Sequence, residues 1–290
     1  MRKKIAFIFY KIIIFIDSLI FKVFKKNFRY YLYDYLRSDS YYQVESGDFK
    51  IKLFTPSSVS RSRAEKFFSK EPDTIEWINR FCLENNKKII FWDIGSNIGT
   101  FSIYAGKKHN DIEIYAFEPS TSNLGLLSKN INLNNLTNKI RINPLPLTTQ
   151  SNQFLLMNEK HFVEGGAQNT FGEDYDFEGK KFSTNNSYNI LGTSINNLIE
   201  NDVLKVPNYI KIDVDGIENL ILRGATKVLK NENLKSILVE INENFKNQHT
   251  EVKNILKENG FEETSKFHSS SKKDRSHKYS MIYNYIFHKN

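Results

Sequence analysis

Acidic side chains stand at the ends of several short apolar segments. The residues at these ends are Asp93-Ile94-Gly95-Ser96-Asn97, Glu118-Pro119, Asp213-Val214-Asp215-Gly216 and Glu240. A carboxylate can attract a cation, accept hydrogen bonds from a diol, or remove a proton from an alcohol. This pattern therefore predicts a site that binds a positively charged or hydroxyl-bearing ligand.

The turn after the first segment narrows the choice of ligand. Gly95 and Gly99 have the spacing Gly-x-x-x-Gly, which differs from the Gly-x-Gly-x-x-Gly of dinucleotide sites and lacks the lysine of a phosphate-binding loop. No basic residue lies in the turn, and Asp93 precedes it, so the turn disfavours phosphate and suits a cation. S-adenosylmethionine carries a sulfonium, an ammonium and a ribose but no phosphate. Glu118 ends the next segment, where a carboxylate can accept both hydrogen bonds of a ribose diol.

Strand-like and helix-like segments alternate from residue 88 onward. Apolar runs that are bounded by turn residues and separated by helices are typical of parallel strands covered by helices on both faces. In such α/β folds, ligands bind beyond the carboxyl ends of the strands. The acidic ends are therefore expected at one edge of a Rossmann-like sheet.

Three regions are expected along the chain. Residues 1–40 form an amphipathic helical arm, 41–84 a cap made of a hairpin and a helix, and 85–290 the α/β domain. The hairpin is predicted to turn at Ser46-Gly47-Asp48, and a helix is predicted to begin near Pro72. Residues 268–278 are predicted to be a loop between the last two strands.

The arm carries the excess positive charge. Residues 1–70 have 15 Lys and Arg against 6 Asp and Glu, whereas the remainder has 26 against 27. This distribution argues against a nucleic-acid-binding domain. On a helix, the polar residues of 1–36 cluster beside an apolar surface, which suggests binding to an anionic membrane surface. A cleaved signal peptide, a spanning helix and a helix packed on the protein's own core are the alternatives. With Cys82 as the only cysteine, we expect a cytoplasmic protein, peripheral on the inner face of the membrane.

Five stretches of the chain resemble the FkbM-type S-adenosylmethionine-dependent methyltransferases. They are residues 63–78 (RAEKFFSKEPDTIEWI), 93–105 (DIGSNIGTFSIYA), 116–135 (AFEPSTSNLGLLSKNINLNN), 210–225 (IKIDVDGIENLILRGA) and 237–242 (ILVEIN). The resemblance implies a seven-strand methyltransferase sheet with its last strand antiparallel, and methyl transfer, usually to a hydroxyl oxygen. It also implies cofactor contacts from a defined set of residues: Asp93, Gly95, Asn97, Gly99 and Glu118.

Two positions depart from the family pattern. Pro146-Leu147-Thr148-Thr149 replaces the small residue and acid that the family usually has near the adenine, and Asp215 stands where Glu is more usual. Ser96, Pro119 and Asp213 are added to the expected cofactor contacts because they lie at the same strand ends.

An alcohol acceptor must lose its proton, so a general base is expected beside the donor. The candidates are Asp213, Asp215 and Glu240, with Asp213 the first choice, although it could instead hold the methionine ammonium. Glu218 begins a helix, where a carboxylate simply complements the helix dipole. The six histidines show no metal-binding spacing, so no metal is expected.

Residues 158–186 form a long polar excursion that could cover an acceptor such as a sugar, glycan or related small molecule. Gly165, Gly166, Asn169, Phe171 and Tyr175 are its candidate contacts, and a surface loop without a role is the alternative. A nucleotide-sugar glycosyltransferase that uses Asp213-Val214-Asp215, a dehydrogenase and a non-catalytic membrane-associated protein are the rival functions.

Overall fold

The computed structural model describes residues 1–82, 87–184, 186–268 and 279–290. The chain forms two compact units, Met1–Tyr41 and Tyr42–Asn290. The second unit contains both the segment predicted as a cap and the predicted α/β domain. The boundary between those two segments stays a prediction, and residues 269–278 of the predicted loop lie outside the described residues.

The elements are numbered in chain order. The helices are α1 (Arg2–Phe24), α2 (Arg29–Ser38), α3 (Ser58–Glu65), α4 (Phe67–Lys70), α5 (Pro72–Asn79), α6 (Thr100–Lys108), α7 (Thr121–Leu133), α8 (Ile195–Glu200), α9 (Glu218–Arg223), α10 (Thr226–Leu229) and α11 (Lys246–Glu258). The strands are β1 (Tyr41–Ser46), β2 (Phe49–Phe54), β3 (Ile89–Ile94), β4 (Ile112–Phe117), β5 (Ile140–Asn143), β6 (Gln153–Glu159), β7 (Thr170–Phe171), β8 (Asn186–Gly192), β9 (Tyr209–Ile212), β10 (Ser236–Asn242), β11 (Phe261–His268) and β12 (Ile282–Lys289).

The first unit is a pair of helices joined by a buried acid. Asp17 of α1 is 2% exposed and accepts hydrogen bonds from Phe28 N (2.8 Å), Arg29 N (3.2 Å) and Asn27 Nδ2 (2.7 Å). A carboxylate at the start of α2 satisfies free N–H groups and complements the helix dipole. The acid that interrupts the apolar run of the arm, Asp17, therefore caps the start of α2.

The apolar side chains of α1 face solvent along most of its length. Phe7, Phe9, Phe15 and Phe24 are 58–69% exposed. None of the helices in the described part of the chain has both the length and the apolar character needed to cross a membrane.

The second unit begins with the elements expected of the cap. Strands β1 and β2 pair across a tight turn at Gly47 (φ 33°), and α5 begins at Pro72, so both predictions are confirmed. Helix α3 begins with a capping box in which the Ser57 hydroxyl accepts from Ser60 N.

The central sheet has seven strands in the order β11-β12-β10-β9-β3-β4-β5. Neighbours from β10 to β5 are parallel, whereas β12 lies antiparallel to both β10 and β11. The predicted α/β fold, with a seven-strand sheet and an antiparallel last strand, is confirmed.

Helices cover both faces of this sheet, also as predicted. Alternate residues of β3 enter two separate cores, with Trp92 and Ile94 in one and Phe91 in the other. Successive side chains of a strand point to opposite faces, so an apolar run without polar interruption is buried on both sides.

A small sheet that the sequence does not reveal is formed by two strands that flank the polar excursion and one short strand within it. Strands β6, β7 and β8 pair antiparallel in the order β7-β6-β8, with Met157 opposite both Phe171 and Tyr188. Met157 and Phe171 are buried, while Phe154 on the same strand as Met157 is 71% exposed. Asparagines and serines along β6 and β8 hide the apolar alternation.

The turn that follows β3 has no room for a side chain at Gly95. A Cβ at Gly95 (φ 85°) would lie 1.9 Å from the Asp213 carbonyl oxygen, whereas a Cβ at Gly125 in α7 meets nothing within 4 Å. Gly95→Ala is expected to lower the free energy of unfolding by about 2–5 kcal/mol, from left-handed backbone strain and overpacking. Gly125→Ala, the matched control, should raise it by about 0.5–1 kcal/mol. Urea unfolding measures both, and equal effects would contradict the argument.

Candidate active site

The turn between β3 and α6 forms one wall of the site. Gly95, Asn97 and Gly99 all have positive φ (85°, 50° and 89°), which glycine adopts freely and asparagine tolerates. The close approach predicted by the glycine spacing is made by the chain's own backbone at Asp213. Asn97 donates through Nδ2 to the Gly166 carbonyl (2.6 Å), so its side chain ties this turn to the excursion.

Glu118 projects from the end of β4 beside this turn. Its Oε2 accepts from Asn97 N (2.8 Å) and its Oε1 from Ser120 N (2.9 Å), which fixes the carboxylate in one orientation. The side chain is only 5% exposed, and burial raises the pKa of Glu118 to about 7. Glu118 and Pro119 both line the main cavity.

Three predicted cofactor contacts lie in the packing behind that wall. Asp93 is fully buried, accepts from Ser102 Oγ (2.6 Å), and has a pKa raised by burial. Ser96 donates through Oγ to the Phe117 carbonyl (3.2 Å), and a Cβ at Gly99 would lie 2.7 Å from Leu127 Cδ1. Ser96 borders a smaller adjoining cavity, and direct contact of these residues with a cofactor stays a prediction.

Asp213, at the end of β9, is held by a buried lysine that sequence reasoning missed. Lys211 is 1% exposed and its Nζ lies 2.6 Å from Asp213 Oδ2. Burial alone would raise the pKa of Asp213, but the charges of Lys211 and Lys70 bring it down to about 2. A lysine inside an otherwise apolar strand, two residues before an acid and therefore on the same face, was the available signal.

The other two candidate bases, Asp215 and Glu240, also line the cavity. Burial and the charge of Asp213 raise the pKa of Asp215 to about 6, and its Oδ2 accepts from Gln168 N (2.6 Å). The same two causes raise the pKa of Glu240 well above its usual value. Glu218 instead accepts from Val214 N (3.2 Å) and Gly216 N (3.1 Å), so it stabilises the loop.

The excursion covers the cavity, with Gly166, Asn169 and Phe171 in the lining. Asn123 bonds both to Gly165 N (2.8 Å) and to the Gly166 carbonyl (3.2 Å). Tyr175 does not line the cavity but packs on Phe245, with ring centroids 5.5 Å apart. The segment 164–171 is called the lid below.

The cavity, with its open mouth, encloses about 860 Å³ and has a polar and an apolar part. Pro146 and Leu147 belong to the apolar wall, whereas Thr148 uses its N–H to bond the Thr193 carbonyl (2.9 Å). The apolar wall suits an adenine ring, and Glu118 suits a ribose diol. The remaining apolar lining comprises Ile94, Phe117, Leu145, Met157, Val214, Ile217 and Ile221.

Two cations also line the cavity, Arg63 from α3 and Lys70 from α4. Sequence reasoning missed both, because they precede the α/β domain and no strand end marks them. Within residues 1–82, 87–184, 186–268 and 279–290, no three His, Cys, Asp or Glu side chains are placed to hold a metal ion.

The sheet order and the cavity at the carboxyl ends of β3, β4, β9 and β10 are those of a Rossmann-like α/β fold that binds a ligand at its strand ends. The family model described as methyltransferase FkbM domain matches residues 93–263, and the chain belongs to this family. The recognition from sequence is therefore confirmed, and S-adenosylmethionine is the cofactor. The glycosyltransferase and dehydrogenase alternatives were wrong.

The chain is also similar to several individual proteins. The hexuronic acid methyltransferase AglP of Haloferax volcanii is 28% identical over 188 residues, which cover 65% of this chain and 69% of that protein. Methyltransferase FkbM from Methylobacillus flagellatus KT is a solved structure with 15% identity and a TM-score of 0.45, covering 68% of this chain and 43% of its own. The solved structure of a precorrin-6y C5,15-methyltransferase from Geobacter metallireducens GS-15 has 15% identity and a TM-score of 0.42. The match covers 76% of this chain and 87% of that one.

The ionisation of Glu118 should control how tightly the donor binds. A carboxylate accepts both hydrogen bonds of a ribose diol, whereas the protonated acid keeps only its carbonyl oxygen as a strong acceptor and binds the diol more weakly. Because the pKa of Glu118 is about 7, donor affinity is expected to rise with pH up to that value and then to level off. The expected change is about tenfold per pH unit below the pKa.

Calorimetry with S-adenosylmethionine between acidic and mildly alkaline pH measures this slope. Glu118→Gln should bind more weakly and should lose the slope, since its amide does not titrate. A slope that persists unchanged in Glu118→Gln would assign it to another acid of the cavity.

Proposed function

We propose that the protein methylates a hydroxyl oxygen of a sugar, glycan or related small molecule. The observation that carries this proposal is the carboxyl group of Glu240, which has no hydrogen-bond or ion-pair partner in the described part of the chain and lines the cavity next to the ion-paired Asp213. The name of the relative from Haloferax volcanii, a hexuronic acid methyltransferase, supports a sugar-type acceptor. The polar lid, with Asn169 and backbone groups in the lining, suits hydroxyl groups.

Glu240 is the general base that the electrostatics favour. A base works best when its pKa lies near the working pH, and a group with a pKa of about 2 is a weak base. Asp213 is such a group, because Lys211 holds it ionised. Glu240 makes no hydrogen bond with the described residues, and burial beside Asp213 raises its pKa. Glu240 therefore replaces Asp213, the first choice from sequence, as the proposed general base.

The remaining residues bind and orient the reactants. When bound, S-adenosylmethionine supplies an electrophilic methyl group. Gly95, Asn97, Glu118 and Pro119 would hold the donor along the ends of β3 and β4. Asp215, anchored by Gln168 N, fixes the lid above the acceptor, and the lid limits the access of water.

The activity is tested by incubating the purified protein with S-adenosylmethionine and a panel of sugars and uronic acids. The expected product gains one methylene unit by mass spectrometry and carries the new methyl group on oxygen by NMR. Methylation only of nitrogen or carbon in a wider panel of acceptors would overturn the assignment to a hydroxyl.

Glu240→Gln should lower kcat by about 10²- to 10⁴-fold, which is the usual contribution of a general base. Binding of S-adenosylmethionine should stay as in the wild type, and the rise of kcat with pH should disappear. Glu243→Gln is the matched control, since Glu243 lies on the same segment but pairs with Lys266. A variant Asp213→Asn that loses activity while Glu240→Gln keeps it would restore Asp213 as the base.

We also propose that the helix α1 binds an anionic membrane surface. Exposed aromatic and aliphatic side chains along α1 support this, together with the basic residues Lys11, Lys22 and Lys25. Apolar area lowers the free energy of insertion into the headgroup region, and each cation near an anionic surface adds about 1 kcal/mol.

Sedimentation with lipid vesicles tests this second proposal. The wild type should pellet with vesicles that contain phosphatidylglycerol and less so with pure phosphatidylcholine. Replacing Lys11, Lys22 and Lys25 by Glu should abolish the difference, whereas Lys246→Glu with Lys257→Glu on α11 should not. Binding that is indifferent to lipid charge in the wild type would contradict the proposal.

A further inference from the structure

Two cations of the cap face one cavity. Arg63 and Lys70 lie seven residues apart and both line the main cavity and the smaller adjoining one. Neither belongs to the strand ends that define the fold's usual ligand edge. Their presence therefore needs an explanation beyond donor binding by β3 and β4.

Each cation is held by one contact that leaves donors free. Arg63 donates through Nε to the Gly165 carbonyl (2.6 Å), and its terminal nitrogens make no hydrogen bond with the residues that the structure describes. Lys70 lies 2.9 Å from Glu71 Oε1. Glu71 is itself buried and also accepts from Thr74 Oγ1 (3.2 Å) and Asn284 Nδ2 (3.2 Å).

The two cations repel each other. The charge of Arg63 lowers the pKa of Lys70, but Glu71, Glu240 and Asp213 outweigh it, so Lys70 stays protonated. Two fixed like charges on one cavity wall are stabilised when an anion lies between them. The guanidinium group of Arg63 presents parallel N–H donors that match a carboxylate, and the ammonium group of Lys70 adds a point charge.

We propose that Arg63 and Lys70 together form a carboxylate-binding site in the cavity. The inference rests on the proposed function, because it assumes that donor and acceptor both occupy this cavity. A carboxylate can come from two sources, the methionine end of S-adenosylmethionine or an acid group on the acceptor, such as that of a uronic acid. In either case Arg63 and Lys70 select ligands that carry a carboxylate, although acidic side chains also line the cavity.

The test is the double variant Arg63→Gln/Lys70→Gln compared with Arg61→Gln/Lys66→Gln. The control removes the same two charges from neighbouring positions of the cap that do not line the cavity. Calorimetry measures the binding of S-adenosylmethionine and of decarboxylated S-adenosylmethionine. A second arm measures glucuronate and glucose on protein saturated with S-adenosylhomocysteine. Thermal melts check that both variants fold.

Loss of about 10- to 100-fold in affinity for the carboxylate-bearing ligand of one arm, without loss for the counterpart that lacks the carboxylate, supports the site and identifies the source. The wild type alone can overturn the proposed site, even if the variant fails to fold. It does so if S-adenosylmethionine and decarboxylated S-adenosylmethionine bind equally well and if glucuronate and glucose also bind equally well or not at all. Activity on neutral sugars with no effect in either arm would remove the carboxylate site and leave the proposed function intact. Carboxylate-dependent binding without any sugar methylation would support the carboxylate site and overturn the proposed function.

Discussion

The ion pair between the buried Lys211 and the half-buried Asp213 sets the electrostatics of the whole site. Removing two charges from water is costly, and the 2.6 Å contact offsets that cost only because both groups stay ionised. The permanent negative charge on Asp213 then raises the pKa of Asp215 and Glu240 nearby. One lysine in a buried strand thus divides the neighbouring acids into an ionised group and groups that can hold or exchange a proton.

The charge of the cavity is more balanced than the row of strand-end acids indicates. Arg63 and Lys70 reach it from the cap, and Lys211 lies beneath it. A site that binds only a cation would be lined by acids alone. The mixture of fixed charges suits a zwitterion, which S-adenosylmethionine is at its methionine end, or a donor and an acceptor of opposite charge.

The sequence was informative where one physical rule dominated. Apolar runs such as β3 and β4 are buried on both faces, so strands, helices and the ligand-binding edge were predictable from the pattern of burial. Glu118 and Gly95 were found because strand ends and tight turns restrict residue type. The structure adds a second reason for Gly95, since a Cβ there would meet the Asp213 carbonyl.

The rest depends on contacts between distant segments. Arg63 lines the cavity from the cap, and the small sheet formed by β6, β7 and β8 depends on pairs such as Met157 with Tyr188, which are 31 positions apart in the sequence. No local pattern encodes those partners. The same limit applies to Glu240 and Asp213, because the sequence does not show whether a neighbouring lysine lowers the pKa of an acid or burial raises it.

The contacts that attach the lid bear on how fast the cavity can release its product. Asn97, Asn123 and Asp215 hold Gly165, Gly166 and Gln168 through a few hydrogen bonds, each of which contributes only about 0.5–1.5 kcal/mol to stability. Such bonds break far more readily than the seven-strand sheet unfolds. Release of the spent cofactor would require residues 164–168 to move, and these hydrogen bonds, together with that from Arg63 to the Gly165 carbonyl, can break without disturbing the sheet beneath.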